Sequence, residues 1–391
     1  MTKELERHLG RATMEGLSRP LTSATGMPSA AYADESFARL EAERLFAPTW
    51  VCIGFDGDIP NPGDCLPVEL AGTPILLVRG RDGAVRAFHN VCRHRGNLVL
   101  TEQKCGLRRL TCPYHMWSYE LDGRLVGTPH FGGTDVDWVD GGHRREDLGL
   151  KPVRLHHWER WLFVNLSGDA PDFEAFAAPM IADLEGYNFA DAVVGTTLTF
   201  DFEANWKVVV ENFLEALHVF WLHKALEARY ADLYAFKEEA DAARTRFAEG
   251  PYFGAALDLP ERYPNKAWGV PEMAGLSEKW RNRHEYLYLF PNLILFLLPG
   301  HIISVIDWPV GAGATHQDWR VCFASEAMTE EHRAAREEIT AFWKQVNEED
   351  IDVCRTVQKG RSSPAFDGGI FSPYWEERMI DFQRMCMETM A

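Results

Sequence analysis

The sequence predicts an α+β chain in which a small antiparallel β domain precedes a larger domain of mixed helix and strand. Three observations lead there. Between Trp50 and about Leu166, short apolar runs such as Pro74–Val78 and Trp161–Asn165 alternate with the turn dipeptides Asp82-Gly83 and Asp122-Gly123, the texture of antiparallel strands joined by tight turns. Helix-like apolar spacing brackets that region, in residues 31–49 before it and in Trp206–His223 and the charge-rich Glu330–Gly360 after it. Apolar residues make up 46% of the 391, enough to fill the two or three cores that a chain of this length implies.

In chain order, residues 1–45 read as a helical segment that packs on the second domain, with the helix of 31–49 stopped near Pro48. Residues 46–166 form the β domain and residues 167–391 the mixed one. In the latter, Thr196–Phe202 alternates as a strand, Trp206–His223 reads as a helix, Tyr286–Ile306 and Trp319–Ser325 read as strands, and Glu330–Gly360 as a long helix. The most apolar stretch, Leu287–Ile306, is interrupted by Pro291, Asn292, Pro299, Gly300 and His301, so it reads as two buried strands around turns and not as a membrane span.

The charge balance narrows the function. With 58 acidic against 40 basic residues the formal net charge is −18, which speaks against nucleic acid or an anionic membrane as partner and mildly favours cationic ligands at long range. The start, MTKELERHLG, is charged and lacks an apolar segment, so a cytoplasmic location is expected. Eight cysteines, at 52, 65, 92, 105, 112, 322, 354 and 386, are scattered along the chain; metal ligation or burial fits them better than a disulfide framework. Cys105 reads as a free buried thiol.

The densest chemistry lies in Cys92-Arg93-His94-Arg95-Gly96 and Cys112-Pro113-Tyr114-His115-Met116-Trp117. Two Cys and two His in paired short loops suit zinc or a [2Fe–2S] cluster in which two His replace two Cys on one iron. A C₂H₂ finger groups Cys with Cys and His with His, whereas each loop here supplies one of each. That arrangement suits two irons, with Cys92 and Cys112 on one and His94 and His115 on the other. Gly96 suits a tight loop.

A second group lies in Asn205-Trp206-Lys207 through His223. Glu211, Glu215 and His218 are spaced four and three apart, on one face if the segment is helical. His223 falls about 140° further round a regular helix than His218, so both reach one metal only where the helix is distorted or ends between them. Two His and one carboxylate, leaving open positions, are the facial triad of non-haem iron(II) oxygenases. A lone His in such a place is most often a packed imidazole; a second His and the preceding cluster motif weigh toward a ligand pair.

The pattern C-x-H-R-G with C-P-Y-H-x-W resembles the Rieske domain of ring-hydroxylating and related oxygenases, and N-W-K-x₃-E-N-x₂-E-x₂-H-x₄-H resembles the catalytic-domain motif of the same family, in the same order along the chain. The resemblance implies a Rieske domain followed by a catalytic domain with an antiparallel sheet covered by helices. It implies a mononuclear Fe(II) held by His218, His223 and a distant Asp, matched best by Asp350, with Asp352 and Glu349 as alternatives. It implies O₂ as co-substrate, a homotrimer in which electrons cross from one subunit's cluster to the next subunit's iron, and a separate NAD(P)H-dependent flavin or iron–sulfur reductase as partner. The lack of a G-x-G-x-x-G fingerprint in this chain agrees with an external reductase.

One departure bears on the substrate. Most of the family has Asp three residues before the first His ligand, bridging cluster and iron; this chain has Glu215. That resembles the branch acting on quaternary ammonium compounds, namely choline monooxygenase, carnitine monooxygenase and glycine betaine demethylase. Aromatic cages bind such cations, and Phe220, Trp221, Tyr286, Tyr288 and Trp308 are the candidate cage residues, although core packing is the usual fate of any single aromatic. The rival readings are an oxygenase of aromatic acids, a Rieske electron-transfer protein and a zinc-bound structural module.

Overall fold

The computed structural model describes residues 3–139, 141–230, 244–261, 263 and 265–391. They gather into two compact units, Phe46–Ala170, and the residues up to Leu45 together with Pro171–Ala391.

In the first unit the strands Val51–Phe55, Trp161–Asn165, Pro152–Trp158, Val85–His89, Thr73–Arg79 and Cys65–Leu70 lie side by side in that order, all antiparallel. The turns named by the sequence close the hairpins. Gly83 has φ +79, and Ala71-Gly72, both at positive φ, join Leu70 to Thr73, as the right-handed strand twist demands of a two-residue loop. A second, three-stranded sheet, Leu110–Thr111, Ser118–Tyr119 and Leu125–Gly127, packs through Leu110, Tyr119 and Leu125 into the same buried cluster as Leu76, Val78 and Phe88. Cys92 and Cys112 belong to that cluster.

The second unit is built on a seven-stranded antiparallel sheet in the order Ala192–Phe202, Ala314–Ala324, His301–Gly311, Leu293–Leu297, Arg283–Leu289, Tyr252–Asp258, Arg244–Glu249. The stretch Leu287–Ile306, expected to be two strands, contributes to three. Leu289 pairs with Leu293 and Leu297 with Ile302, because Pro291-Asn292 and Pro299-Gly300 each make a reversal, and two reversals separate three strands. The helices Trp206–Leu214, Arg333–Arg361 and Glu377–Met390 belong to this unit.

The first of these helices opens on Asn205, whose side chain accepts from the Lys207 N–H. It was expected to run to His223, but ends at Leu214. Glu215 is extended, at φ −112 and ψ 160, and its carboxylate accepts from the backbone N–H groups of Leu217 and His218. Those N–H groups are thereby withdrawn from any continued helix, and a new turn, Val219–Leu222, follows.

The segment before Leu45 packs on this unit through buried polar contacts. Lys207 Nζ donates to Glu41 Oε1 at 2.6 Å and Trp206 Nε1 to Glu41 Oε2 at 3.3 Å. Tyr32 Oη donates to Glu211 Oε1 at 2.7 Å, and Gln383 donates to the same oxygen at 2.9 Å.

Candidate metal centres

The two loops of the β unit are one design used twice. Cys92 N–H donates to Asn97 O at 2.8 Å and Gly96 N–H to Cys92 O at 3.1 Å; Cys112 N–H donates to Trp117 O at 2.9 Å and Met116 N–H to Cys112 O at 3.0 Å. Gly96 and Met116, at equivalent places, have φ +77 and +58, which is why glycine suits the first loop. Each loop thus starts with a buried sulfur and carries one imidazole.

The His94 and His115 rings lie 4.6 Å apart, and Trp117 stacks on His94 at 4.7 Å. His94 Nδ1 is buried and without a hydrogen-bond partner. Burial pushes the Cys92 thiol up, and Tyr119 opposes it. The Tyr119 hydroxyl lies 3.2 Å from Cys92 Sγ and accepts from Arg93 N–H at 3.0 Å, which frees its own proton for the sulfur. Two sulfurs and two imidazoles, one of them with an idle buried nitrogen, fit a Rieske cluster. Tyr119 had no part in the sequence reading, although it stands two residues after Trp117. Cys105, expected to be buried, is exposed, because it follows Lys104, whose pairing with Cys65 is a single isolated bridge at the surface of the unit.

In the second unit His218, His223 and Asp350 each offer a ligand atom, all within 4.8 Å of one another. Asp350 Oδ1 lies 3.1 Å from His223 Nε2 and 3.7 Å from His218 Nε2; it is buried and unpartnered by any hydrogen bond. The far nitrogen of each imidazole is taken by a different carboxylate. Glu215 Oε1 bonds His218 Nδ1, and Glu349 Oε2 lies 2.8 Å from His223 Nδ1. For His223 burial alone would lower the pKa, but Asp350 and Glu349 outweigh it and the net shift is upward. Two Nε2 atoms and one carboxylate oxygen converging, each imidazole oriented from behind, fit the two-His, one-carboxylate set for iron(II).

The alternatives to Asp350 separate cleanly. Glu349 supports His223 from behind, and Asp352 is exposed and paired with Arg355. Glu211 lies apart from His218, His223 and Asp350. It is held among Tyr32, Gln383 and Arg361, since Glu215 has left the helix and the expected common face does not exist.

A cavity of about 250 Å³ opens beside these residues and is lined by Phe220 and Tyr286 among the proposed aromatics. Trp221, Tyr288 and Trp308 are not part of its lining. Trp221 is turned outward by the helical turn that carries Phe220 inward, and is 78% exposed. Tyr288 lies two residues further along its strand than Tyr286, packs against Phe382, and donates to Pro291 O at 2.5 Å. Trp308 is three residues from the cavity-lining Val305 on one strand, hence on the opposite face, where it donates to Asp318. The lining aromatics missed by sequence are Phe202, Phe213, Tyr230, Phe296, Trp319, Trp343 and Trp375. Trp343 and Asn347 precede Asp350 by seven and three residues, a helical spacing that marks one face.

Comparison with known proteins gives the same picture. Residues 189–391 match the family model described as ring hydroxylating alpha subunit (catalytic domain), and residues 49–136 match the Rieske [2Fe-2S] domain. The glycine betaine monooxygenase oxygenase subunit of Pseudomonas aeruginosa (strain UCBPP-PA14) is 28% identical over 93% of this chain and 89% of its own. The carnitine monooxygenase oxygenase subunit of Escherichia coli (strain K12) is 27% identical over 88% and 86%. The crystal structure of the apo form of a quaternary ammonium Rieske monooxygenase matches with TM-score 0.76 and 20% identity over 96% of this chain and 98% of that one. Naphthalene 1,2-dioxygenase from Rhodococcus sp. matches with TM-score 0.76 and 20% identity over 100% and 98%. At such identity the two structures speak for the fold alone. A family match over more than half the chain, with the cluster domain ahead of it, sets aside the zinc module and the simple electron carrier: the chain belongs to the ring-hydroxylating α-subunit family and is a Rieske non-haem iron oxygenase.

Proposed function

We propose that this chain is the terminal oxygenase of a system that hydroxylates an N-methyl C–H bond of a small quaternary ammonium compound of the betaine, choline or carnitine kind. Cys92, His94, Cys112 and His115 hold the cluster; His218, His223 and Asp350 hold the iron. The observation that carries the substrate reading is the set of aromatic faces around the cavity. Tyr286, Phe296 and Trp343 stand at 57–64° to one another, with centroids 4.9–6.2 Å apart, and Phe213 and Trp319 pack on Phe296. Walls set at angles present several ring faces to one small volume, which is how a cation without N–H donors is held. The named relatives that act on glycine betaine and carnitine support the same reading.

When bound, iron(II) supplies O₂ activation, and the cluster supplies electrons received from a partner reductase. The chain's residues prepare that chemistry. Glu215 and Glu349 hold the Nδ1 sides of His218 and His223, so that both Nε2 lone pairs face the metal position. Glu215 also has lone pairs to accept a bond from a cluster imidazole of a neighbouring subunit in a homotrimer, completing a bonded route for the electron. The aromatic walls and the apolar lining exclude water and hold the methyl groups. One oxygen atom enters the C–H bond, and the other leaves as water with two electrons and two protons. The resulting carbinolamine then breaks its C–N bond to give formaldehyde and the demethylated amine.

The test is turnover with a reductase, NAD(P)H and each of glycine betaine, carnitine, choline and benzoate. Formaldehyde equimolar with O₂ consumed is expected from at least one of the three cations. Hydroxylated or diol products from benzoate, with no formaldehyde from the cations, would replace this reading with oxygenation of aromatic acids.

A further inference from the structure

Arg378 opens the helix Glu377–Met390 and is 7% exposed. It lines the cavity. Its Nε is buried without a hydrogen-bond partner, and among the described residues no carboxylate forms an ion pair with it. Arg246, on the strand Arg244–Glu249, lines the same cavity. Its Nη1 donates to Tyr374 O at 2.6 Å, and its guanidinium lies 4.4 Å from the Tyr374 ring centroid and 4.9 Å from that of Trp375. The Trp375 ring lies 5.3 Å from Phe220, which sits in the chain between His218 and His223. Arg246 is therefore linked to the metal residues through two aromatic rings, and Arg378 faces the same cavity.

Burial pushes the Arg378 guanidinium down to about 10, and Arg246 pushes it the same way; Glu215 and Glu377 oppose. Glu215 is already committed to His218 and to two backbone N–H groups. A buried charge without an anionic partner is costly, and the half-buried Arg246, held by Tyr374 and Trp375 but paired with no carboxylate among the described residues, adds like charge beside it. An anion delivered by the substrate removes that cost, and a carboxylate matches a guanidinium fork with two parallel hydrogen bonds.

We propose that Arg378 and Arg246 are specificity residues that bind a carboxylate of the substrate. The substrate is then a zwitterion, with its anionic end at the arginines and its methyl groups toward the iron position. This rests on the quaternary ammonium reading above for the cationic end, but the anionic end is argued from the arginines alone.

Glycine betaine and choline share a trimethylammonium group and differ in carboxylate against hydroxymethyl, so they are the probes, used with the cluster- and iron-loaded oxygenase and its reductase. The parent is expected to have the higher kcat/KM for glycine betaine. Arg378→Gln is expected to lose about tenfold more of that value for glycine betaine than for choline, the size of one charge-assisted bond, with the loss in KM and not in kcat. Arg378→Lys should recover part of it, and Arg246→Gln should show a smaller effect of the same sign. Calorimetric binding of glycine betaine to the oxidised enzyme should weaken in parallel, and retained cluster absorption shows that the variant is folded. Should Arg378→Gln fail to fold, Arg378→Lys and Arg246→Gln carry the comparison. An equal loss for both probes, falling in kcat, would make Arg378 a charge partner of Glu215 and overturn the proposal, as would a parent that prefers choline. If no cation is turned over and benzoate is, the cationic reading fails. The arginine assignment then stands or falls on the same variants compared with benzoate against benzyl alcohol.

Discussion

Glu349 and Asp350 are neighbours in the chain with different tasks. Consecutive residues on a helix point about 100° apart, so a metal approached by one leaves the other to the side, where Glu349 meets His223 Nδ1. Glu349→Gln keeps the size and offers an amide in place of the carboxylate. The imidazole loses basicity and orientation, and affinity for iron(II) should fall about 10- to 100-fold, read by metal titration of the cluster-loaded protein. Unchanged affinity would mean that His223 is positioned by packing alone. Tyr119 is the counterpart at the cluster, since hydrogen bonds to cluster sulfurs raise the potential. Tyr119→Phe removes the bond to Cys92 Sγ and should lower the midpoint potential by tens of millivolts, on the order of the ~1 kcal/mol that such a bond contributes; voltammetry giving the parent's potential would show that the hydroxyl serves only Arg93 N–H. The cysteines and histidines were legible because metal chemistry limits which side chains can occupy those places and fixes their spacing within each loop. Glu349, Tyr119 and the arginines were not, because carboxylates, phenols and guanidinium groups are common on every surface, and only the phase of a helix or the path of a strand aims them.

At the scale of elements, the helix Trp206–Leu214 shows how a motif can mix roles. Asn205 caps it, and Trp206 and Lys207 reach Glu41. Half of what reads as a catalytic signature is therefore the joint that holds the segment before Leu45 against the helix leading to the iron residues. Lys207 and Glu41 are both almost completely buried. Removing one partner strands the other, so Lys207→Met should cost about 3–5 kcal/mol, seen as a lower thermal midpoint. Glu41→Leu together with Lys207→Met should recover most of that loss, since an apolar pair of similar volume needs no solvation. If the single variant is as stable as the parent, water reaches the pair. Periodicity exposed the helix but not its end, because the apolar pattern continues through Val219 and Leu222. The break comes from the Glu215 carboxylate competing for Leu217 and His218 N–H groups, a local hydrogen-bond choice that hydrophobic spacing does not record.

At the scale of the whole molecule, the two proposed metal positions belong to different compact units, one in Phe46–Ala170 and the other in Pro171–Ala391, and the proposed working state is a trimer of such chains. Glu215, bonded on one side to His218 Nδ1, is the proposed link between an iron and a neighbour's cluster. Mixing two dead variants tests this directly. Cys92→Ser lacks a cluster and keeps the iron residues; Asp350→Ala lacks an iron ligand and keeps the cluster. Neither homotrimer should turn over. If electrons stay within a chain, a trimer assembled from both is also dead, because no chain holds both centres. If electrons cross, every Cys92→Ser subunit that receives electrons from an Asp350→Ala neighbour becomes active. Random assortment of equal amounts around a three-fold axis, with each iron served by one particular neighbour, gives about one quarter of the parent's activity. Adding Glu215→Ala to the Cys92→Ser chain, where the working iron resides, should abolish the recovered turnover, while adding it to the Asp350→Ala chain should leave it in place. Recovery that is indifferent to which chain carries Glu215→Ala would separate the crossing of electrons, which would stand, from the role of this carboxylate, which would not.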